Sequence, residues 1–134
     1  MEFFKYVTVN TSEAELRSLL TLENLSIYSS ELFPLEKIED DRVRIGGVWG
    51  EFTLTSHPVA GGLRFALQEC PNALTWTITT GFPPEPEVIV IHLTINRKQK
   101  EQDFLEEIEE FMEDLAAGIM KVFTPGRTYL INYQ

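Results

Sequence analysis

Two histidines, one cysteine and several runs of adjacent carboxylates are the side chains of this sequence that could do chemistry. His92 has the most suggestive setting. It stands in Val90-Ile91-His92-Leu93, on the parity of Val88 and Val90, within an apolar run that reads as a central strand buried on both faces. An imidazole buried there tends to stay neutral and needs a hydrogen-bond partner. It could act as a general base, but a satisfied structural histidine accounts for the same sequence. His57 precedes Pro58 in a stretch that reads as a turn, which places its ring in water. Cys70, in Gln68-Glu69-Cys70-Pro71, has a carboxylate beside it and no base, whereas an activated thiol needs positive surroundings. Two histidines and one cysteine in different segments do not supply the convergent ligands that zinc requires. The carboxylate runs Glu39-Asp40-Asp41, Glu106-Glu107, Glu109-Glu110 and Glu113-Asp114 would need shifted pKa values to do acid–base work. Those in the last helix face water by periodicity. No phosphate loop, nucleophile elbow, H-E-x-x-H or CxxC is present, so no catalytic residue, metal or cofactor is assigned.

The elements that would position these groups follow from periodicity. Phe3 to Val9 is rich in aromatic and β-branched residues and reads as a strand. Ser12-Glu13-Ala14-Glu15 matches a capping box, and Leu16, Leu19 and Leu20 share one face of the short helix it opens. Leu22 to Ile38 is too apolar for a solvated loop. Leu25, Tyr28 and Leu32 have helical spacing and Pro34 ends any such helix, so a second short helix or a packed irregular segment is expected. From Asp41 the period becomes two: Val43 and Ile45, Phe52 and Leu54, Leu63, Phe65 and Leu67, then Leu74, Trp76 and Ile78 alternate with polar residues. Gly46-Gly47, Gly50, His57-Pro58, Gly61-Gly62 and Pro71-Asn72 punctuate them. With Val88 to Ile95, this is an antiparallel meander of about four to five strands.

The longest helix is expected from about Glu101 to Phe123. At ~100° per residue, Phe104, Ile108, Phe111, Met112, Leu115, Ile119 and Val122 form one stripe, with Leu105, Ala116 and Phe123 at its edge. Glu106, Glu107, Glu110, Glu113 and Asp114 fall opposite, so one face is buried and the other solvated. Pro125-Gly126 stops the helix, and Thr128 to Tyr133 reads as a final strand. Such a strand needs a sheet edge, its own or that of a second copy, so a homodimer through residues 128–134 is one expectation.

The chain of 134 residues reads as one α+β domain, with 43% hydrophobic and 24% charged residues. Its formal net charge of −10 repels phosphate backbones and anionic membranes and argues against a nucleic-acid partner. It would steer the domain towards a basic protein. No apolar run approaches the ~20 residues of a membrane helix. Met1-Glu2-Phe3-Phe4-Lys5-Tyr6 lacks the pattern of a signal peptide, so a cytoplasmic location is expected.

The order strand, two short helical segments, antiparallel meander and long amphipathic helix resembles the START-like superfamily of polyketide cyclases, lipid-transfer proteins and Hsp90-activator-type domains. The similarity covers roughly Phe3 to Phe123. It lies in Val7-Thr8-Val9-Asn10-Thr11-Ser12-Glu13-Ala14-Glu15-Leu16, in Leu20-Thr21-Leu22-Glu23-Asn24-Leu25 and in Ile45-Gly46-Gly47-Val48-Trp49-Gly50-Glu51-Phe52. The resemblance implies a helix-grip fold: a curved meander sheet covered by the C-terminal helix. The tail departs from it, and a strand after the last helix would suit a ferredoxin-like β-α-β-β-α-β core with added strands.

A curved sheet faced by a long helix can enclose an apolar cavity. Phe65, Trp76, His92, Phe111, Met112 and Leu115 are the candidate lining, and the same residues could instead fill a solid core. The leading expectation is a non-catalytic domain that binds an apolar small molecule or lipid. The rival readings are an acidic protein-interaction module of immunity or adaptor type and, third, a cyclase- or hydratase-like enzyme.

Overall fold

The chain runs β1 (Glu2–Val7), α1 (Glu13–Leu19), α2 (Leu25–Tyr28), β2 (Leu32–Glu39), β3 (Arg42–Gly47), β4 (Gly50–Val59), β5 (Gly62–Gln68), β6 (Thr75–Thr79), β7 (Ile89–Thr94) and α3 (Gln102–Phe123). The computed structural model describes residues 1–96 and 102–123. The expected tail strand at 128–134, and the dimer contact built on it, lie outside the described residues. The strands form one seven-stranded sheet in the order β1-β7-β6-β5-β4-β3-β2. Every neighbouring pair is antiparallel. β2 to β7 is an unbroken meander, longer than expected, and β1 closes against β7. α1 and α2 carry the chain from one sheet edge to the other, and α3 follows the last strand. This is the helix-grip arrangement. The ferredoxin-like alternative fails because no helix interrupts the meander.

Alternation assigns the faces. Phe3, Leu93, Trp76, Phe65 and Ser56 stand in register across five strands. Lys5, Ile91, Ile78 and Leu63 form the adjacent row. On these rows Leu93, Trp76, Phe65, Ile91, Ile78 and Leu63 are buried with the apolar stripe of α3 in one core. The row Phe4, His92, Thr77 and Arg64 belongs to the other face.

Local sequence explains the joints. Ser12 Oγ caps α1 by accepting the Glu15 amide at 3.1 Å, while the Glu15 carboxylate accepts from Thr11 Oγ1 at 2.8 Å, so the return half of the capping box runs through Thr11. Glu13 accepts the Gly61 amide at 2.6 Å, and Arg17 donates to the Val59 and Gly62 carbonyls at 2.6 and 3.0 Å. α1 thereby holds the β4–β5 turn. Between Gly47 and Gly50 only Val48 and Trp49 make the β3–β4 turn, and Gly50 takes a φ of 120°, where a side chain is strained.

Three expectations need correction. The segment before Asp41 holds an edge strand, β2, in addition to the short helix α2. Two irregularities in its register, between Pro34 and Glu36 and between Lys37 and Glu39, break the alternation that would have marked it. Pro34 is tolerated there because an edge strand leaves part of its backbone unpaired. His57-Pro58 is no turn: both residues belong to β4, and the turn follows Val59, although His57 is exposed as expected. β7 is buried on one face only, with Ile89, Ile91 and Leu93 inward and Val90, His92 and Thr94 partly exposed.

Candidate functional site

Phe111, at the middle of α3 and fully buried, is the hub of an aromatic cluster. Trp76 packs edge-on against it with ring centres 5.1 Å apart, and Phe65 stacks on Trp76 at 5.6 Å. Trp49 reaches over from the β3–β4 turn and meets Phe111 at 5.3 Å and Phe104 at 6.3 Å, again edge-on. Offset and edge-on pairs are the favoured aromatic geometries, each worth about 0.5–1.5 kcal/mol beyond burial. Trp49 is the partly exposed member of this group, whereas Trp76 is 2% exposed. The indole nitrogens of Trp49 and Trp76 are both buried and have no hydrogen-bond partner among the described residues. An indole N–H can only donate, and a buried donor left unpaired costs about 1–3 kcal/mol.

The second half of α3 is fastened differently. Asp114 accepts hydrogen bonds from Ser29 Oγ at 3.2 Å, from the Ser30 amide and hydroxyl, and from the Glu31 amide at 3.3 Å. This carboxylate ties α3 to the link between α2 and β2 instead of facing water, which corrects its sequence assignment. Gly118 lies directly on the Tyr28 backbone, where an added Cβ would come within 2.1 Å of the carbonyl oxygen. The absent side chain is what lets α2 and α3 touch. Lys5 of β1 pairs with Glu113 at 3.8 Å. Burial, reinforced by Asp114, Glu110 and Glu107, pushes the Glu31 carboxyl above its ordinary pKa, so this side of α3 carries a negative potential.

Of the residues nominated from sequence, Phe65, Trp76, Phe111, Met112 and Leu115 come together beneath α3, none more than 2% exposed. Phe65, Trp76 and Phe111 pack ring against ring, and all five belong to the one core cluster. His92 does not join them. Its ring lies on the opposite sheet face, stacked on Phe4 at 4.3 Å, and its Nε2 is 2.8 Å from Glu2 Oε1. His92 shares the parity of Val90, and that parity points outward. Trp49 belongs to the cluster although periodicity does not nominate it. A tryptophan in a tight turn between glycines is too apolar to leave in water, and that was the available signal.

Outside the cluster, an apolar groove of about 420 Å³ lies on the outer face, lined by Phe4, Tyr6, Phe82 and Val90. A smaller groove of about 250 Å³ lies by the β2 edge, where Leu22, Pro34, Leu35 and Val43 are ringed by charged residues such as Glu23 and Lys37. Among the described residues, the buried polar side chains are Ser29, Thr55 and Thr80, together with Tyr28, whose hydroxyl donates to the Thr21 carbonyl at 3.0 Å. No group of histidine, cysteine and carboxylate side chains among the described residues could hold a metal. No helix among them is long and apolar enough to cross a membrane.

Compared by sequence, the chain matches no protein-family model and no curated protein. Compared by structure, it is similar to a START superfamily protein from Mycobacterium smegmatis, with a TM-score of 0.58 and 15% identity over 91% of this chain and 96% of that one. The fold is START-like. The protein XoxI from Bacillus cereus superposes with a TM-score of 0.65 at 8% identity, over 92% of this chain and 96% of the other. An uncharacterised protein from Bacillus thuringiensis gives 0.57 at 8% identity, over 90% and 98%. At such identities the START-like likeness speaks for the architecture, and the chemistry has to be argued from the cluster itself.

Proposed function

We propose that this START-like domain binds an apolar small molecule between the sheet and the first half of α3, without acting on it chemically. The observation that carries the reading is the aromatic run Phe65, Trp76, Phe111 and Trp49, which begins fully buried and ends at a partly exposed ring in a two-residue turn. Small-molecule sites are mostly aromatic and apolar with a few polar groups, and this run has that composition.

The attachments of α3 suggest how a molecule enters. Asp114 and Gly118 fasten the second half, while the first half leans on the Trp49 turn through Phe104 and Phe111. A guest that parts Trp49 from Phe111 exchanges one set of apolar contacts for another and buries its own surface, at roughly 25 cal/mol per Å². Met112, unbranched and adaptable, is suited to repacking around it.

Both tryptophans of the chain belong to this cluster, so intrinsic fluorescence reports on it. 1-Bromododecane, whose bromine quenches an indole on contact, is expected to quench saturably, with a blue-shifted residual emission. A linear loss no stronger than that of free tryptophan contradicts the reading.

A further inference from the structure

We infer that the molecule held beneath α3 is neutral and carries a carbonyl-type hydrogen-bond acceptor, read by the indole N–H groups of Trp49 and Trp76. This deepens the binding reading above and rests on it. Two observations carry it. The first is that these two nitrogens are buried without a partner, in side chains that flank the same ring, Phe111. Buried polar groups in folded proteins are paired in the great majority of cases. Here two unpaired donors stand in a cluster that reaches the surface through a partly exposed side chain, Trp49. Since indole donates and never accepts, a guest satisfies it with a lone pair, such as that of a carbonyl oxygen, and not with an N–H or O–H hydrogen.

The second observation concerns charge. A carboxylate or phosphate would also offer lone pairs, but the surroundings oppose it. The chain carries a net charge of −10, Glu107 and Glu110 precede Phe111 on α3, and Asp114 follows it, with Glu31 close enough to feel all three. Burial raises the Glu31 pKa, and the charges of Asp114, Glu110 and Glu107 raise it further. An anion entering beside them would meet the same field with less water to screen it. A cation would be drawn to that field and to the aromatic faces, but it would leave both donors unpaired. A ketone, ester or amide on an apolar skeleton meets every condition.

The test uses probes that share a dodecyl chain: dodecane, 2-dodecanone, dodecanoate and dodecyltrimethylammonium, each kept below its aggregation limit and competed against 1-bromododecane. Once each affinity is corrected for the probe's own transfer from water to alkane, the ketone is expected to bind about tenfold tighter than dodecane, the worth of relieving one buried unpaired donor. It should also bind more tightly than either ion. Trp49→Phe and Trp76→Phe keep a ring and remove the donor, so each should shrink the preference for ketone over alkane. Should either variant fail to fold, the wild-type protein still decides: both indole N–H signals in a proton–nitrogen correlation spectrum should move downfield with 2-dodecanone and stay with dodecane. Equal corrected affinity for alkane and ketone overturns the acceptor while leaving an apolar site. Tightest binding of either ion overturns neutrality. Binding of none of the probes, bromododecane included, brings down the underlying reading and this inference with it.

Discussion

Replacing Gly118 by alanine should destabilise the domain, although the same change at most helix-interior positions stabilises it. Alanine is favoured over glycine in a helix by about 1 kcal/mol. At Gly118 the new Cβ would stand 2.1 Å from the Tyr28 carbonyl oxygen, 2.5 Å from its carbon and 2.8 Å from its Cα. Carbon and oxygen ordinarily approach to about 3.3 Å, so α2 and α3 must part by on the order of 1 Å. The obstacle is backbone and cannot rotate away. Overpacking of this kind costs about 1–3 kcal/mol. The separation also stretches the bonds from Ser29 and Ser30 to Asp114, each worth about 1 kcal/mol net. The propensity gain is outweighed, and a net loss of roughly 1–3 kcal/mol is expected against a usual total of about 5–15. Urea denaturation read by far-ultraviolet circular dichroism measures it as a lower midpoint at unchanged slope. Ala117→Gly, at the exposed neighbouring position, supplies the propensity term alone. A Gly118→Ala variant about 1 kcal/mol more stable than wild type would refute the close contact and the clamp built on it.

Phe111→Ala removes the hub of the aromatic cluster and should cost about 3–5 kcal/mol, seen as a large fall in melting temperature; a fall of a degree or two would mean that this helix face is not the core face. Replacing Glu106, Glu110 and Glu113 together by glutamine should leave stability almost unchanged, because these side chains are exposed and the Lys5–Glu113 pair is a surface contact. Loss of folding in that variant would contradict the assignment of this face to solvent. Glu31→Gln should raise stability near neutral pH. The folded-state pKa of Glu31 is above its unfolded value, so its charge opposes folding at neutral pH, and that opposition fades as pH falls through the raised pKa. Melting temperatures of the two proteins should therefore converge in acid, and a gap that widens in acid would contradict the sign.

The helix-grip architecture was legible because periodicity changes cleanly from two to 3.6 at the right places. The stripe from Phe104 to Ile119 and the alternation through Leu63, Phe65, Trp76 and Ile78 have strong local causes. β2 was not legible, since Pro34 and two register breaks erase alternation on an edge strand whose residues from Phe33 to Glu39 are exposed. Gly118 was invisible for a related reason: its role is a distance to Tyr28, far away in sequence. His92 shows the limit of parity. Alternation groups residues correctly but does not say which group faces the helix until a neighbouring strand is fixed, and β1 is that neighbour. Asp114 looked like one more solvated acid in a run of acids, and only the arrival of Ser29 and Ser30 makes it a clamp.

The most direct test of the binding account is where a bound probe sits. Isotope-filtered nuclear Overhauser spectra of the labelled protein with unlabelled 2-dodecanone report which rings lie within about 5 Å of it, the centroid spacing of packed aromatic rings. The account predicts contacts from the ketone methyl and the adjoining chain to Trp49, Trp76 and Phe111. Contacts confined to Phe4, Tyr6 and Phe82 in the outer groove would contradict it.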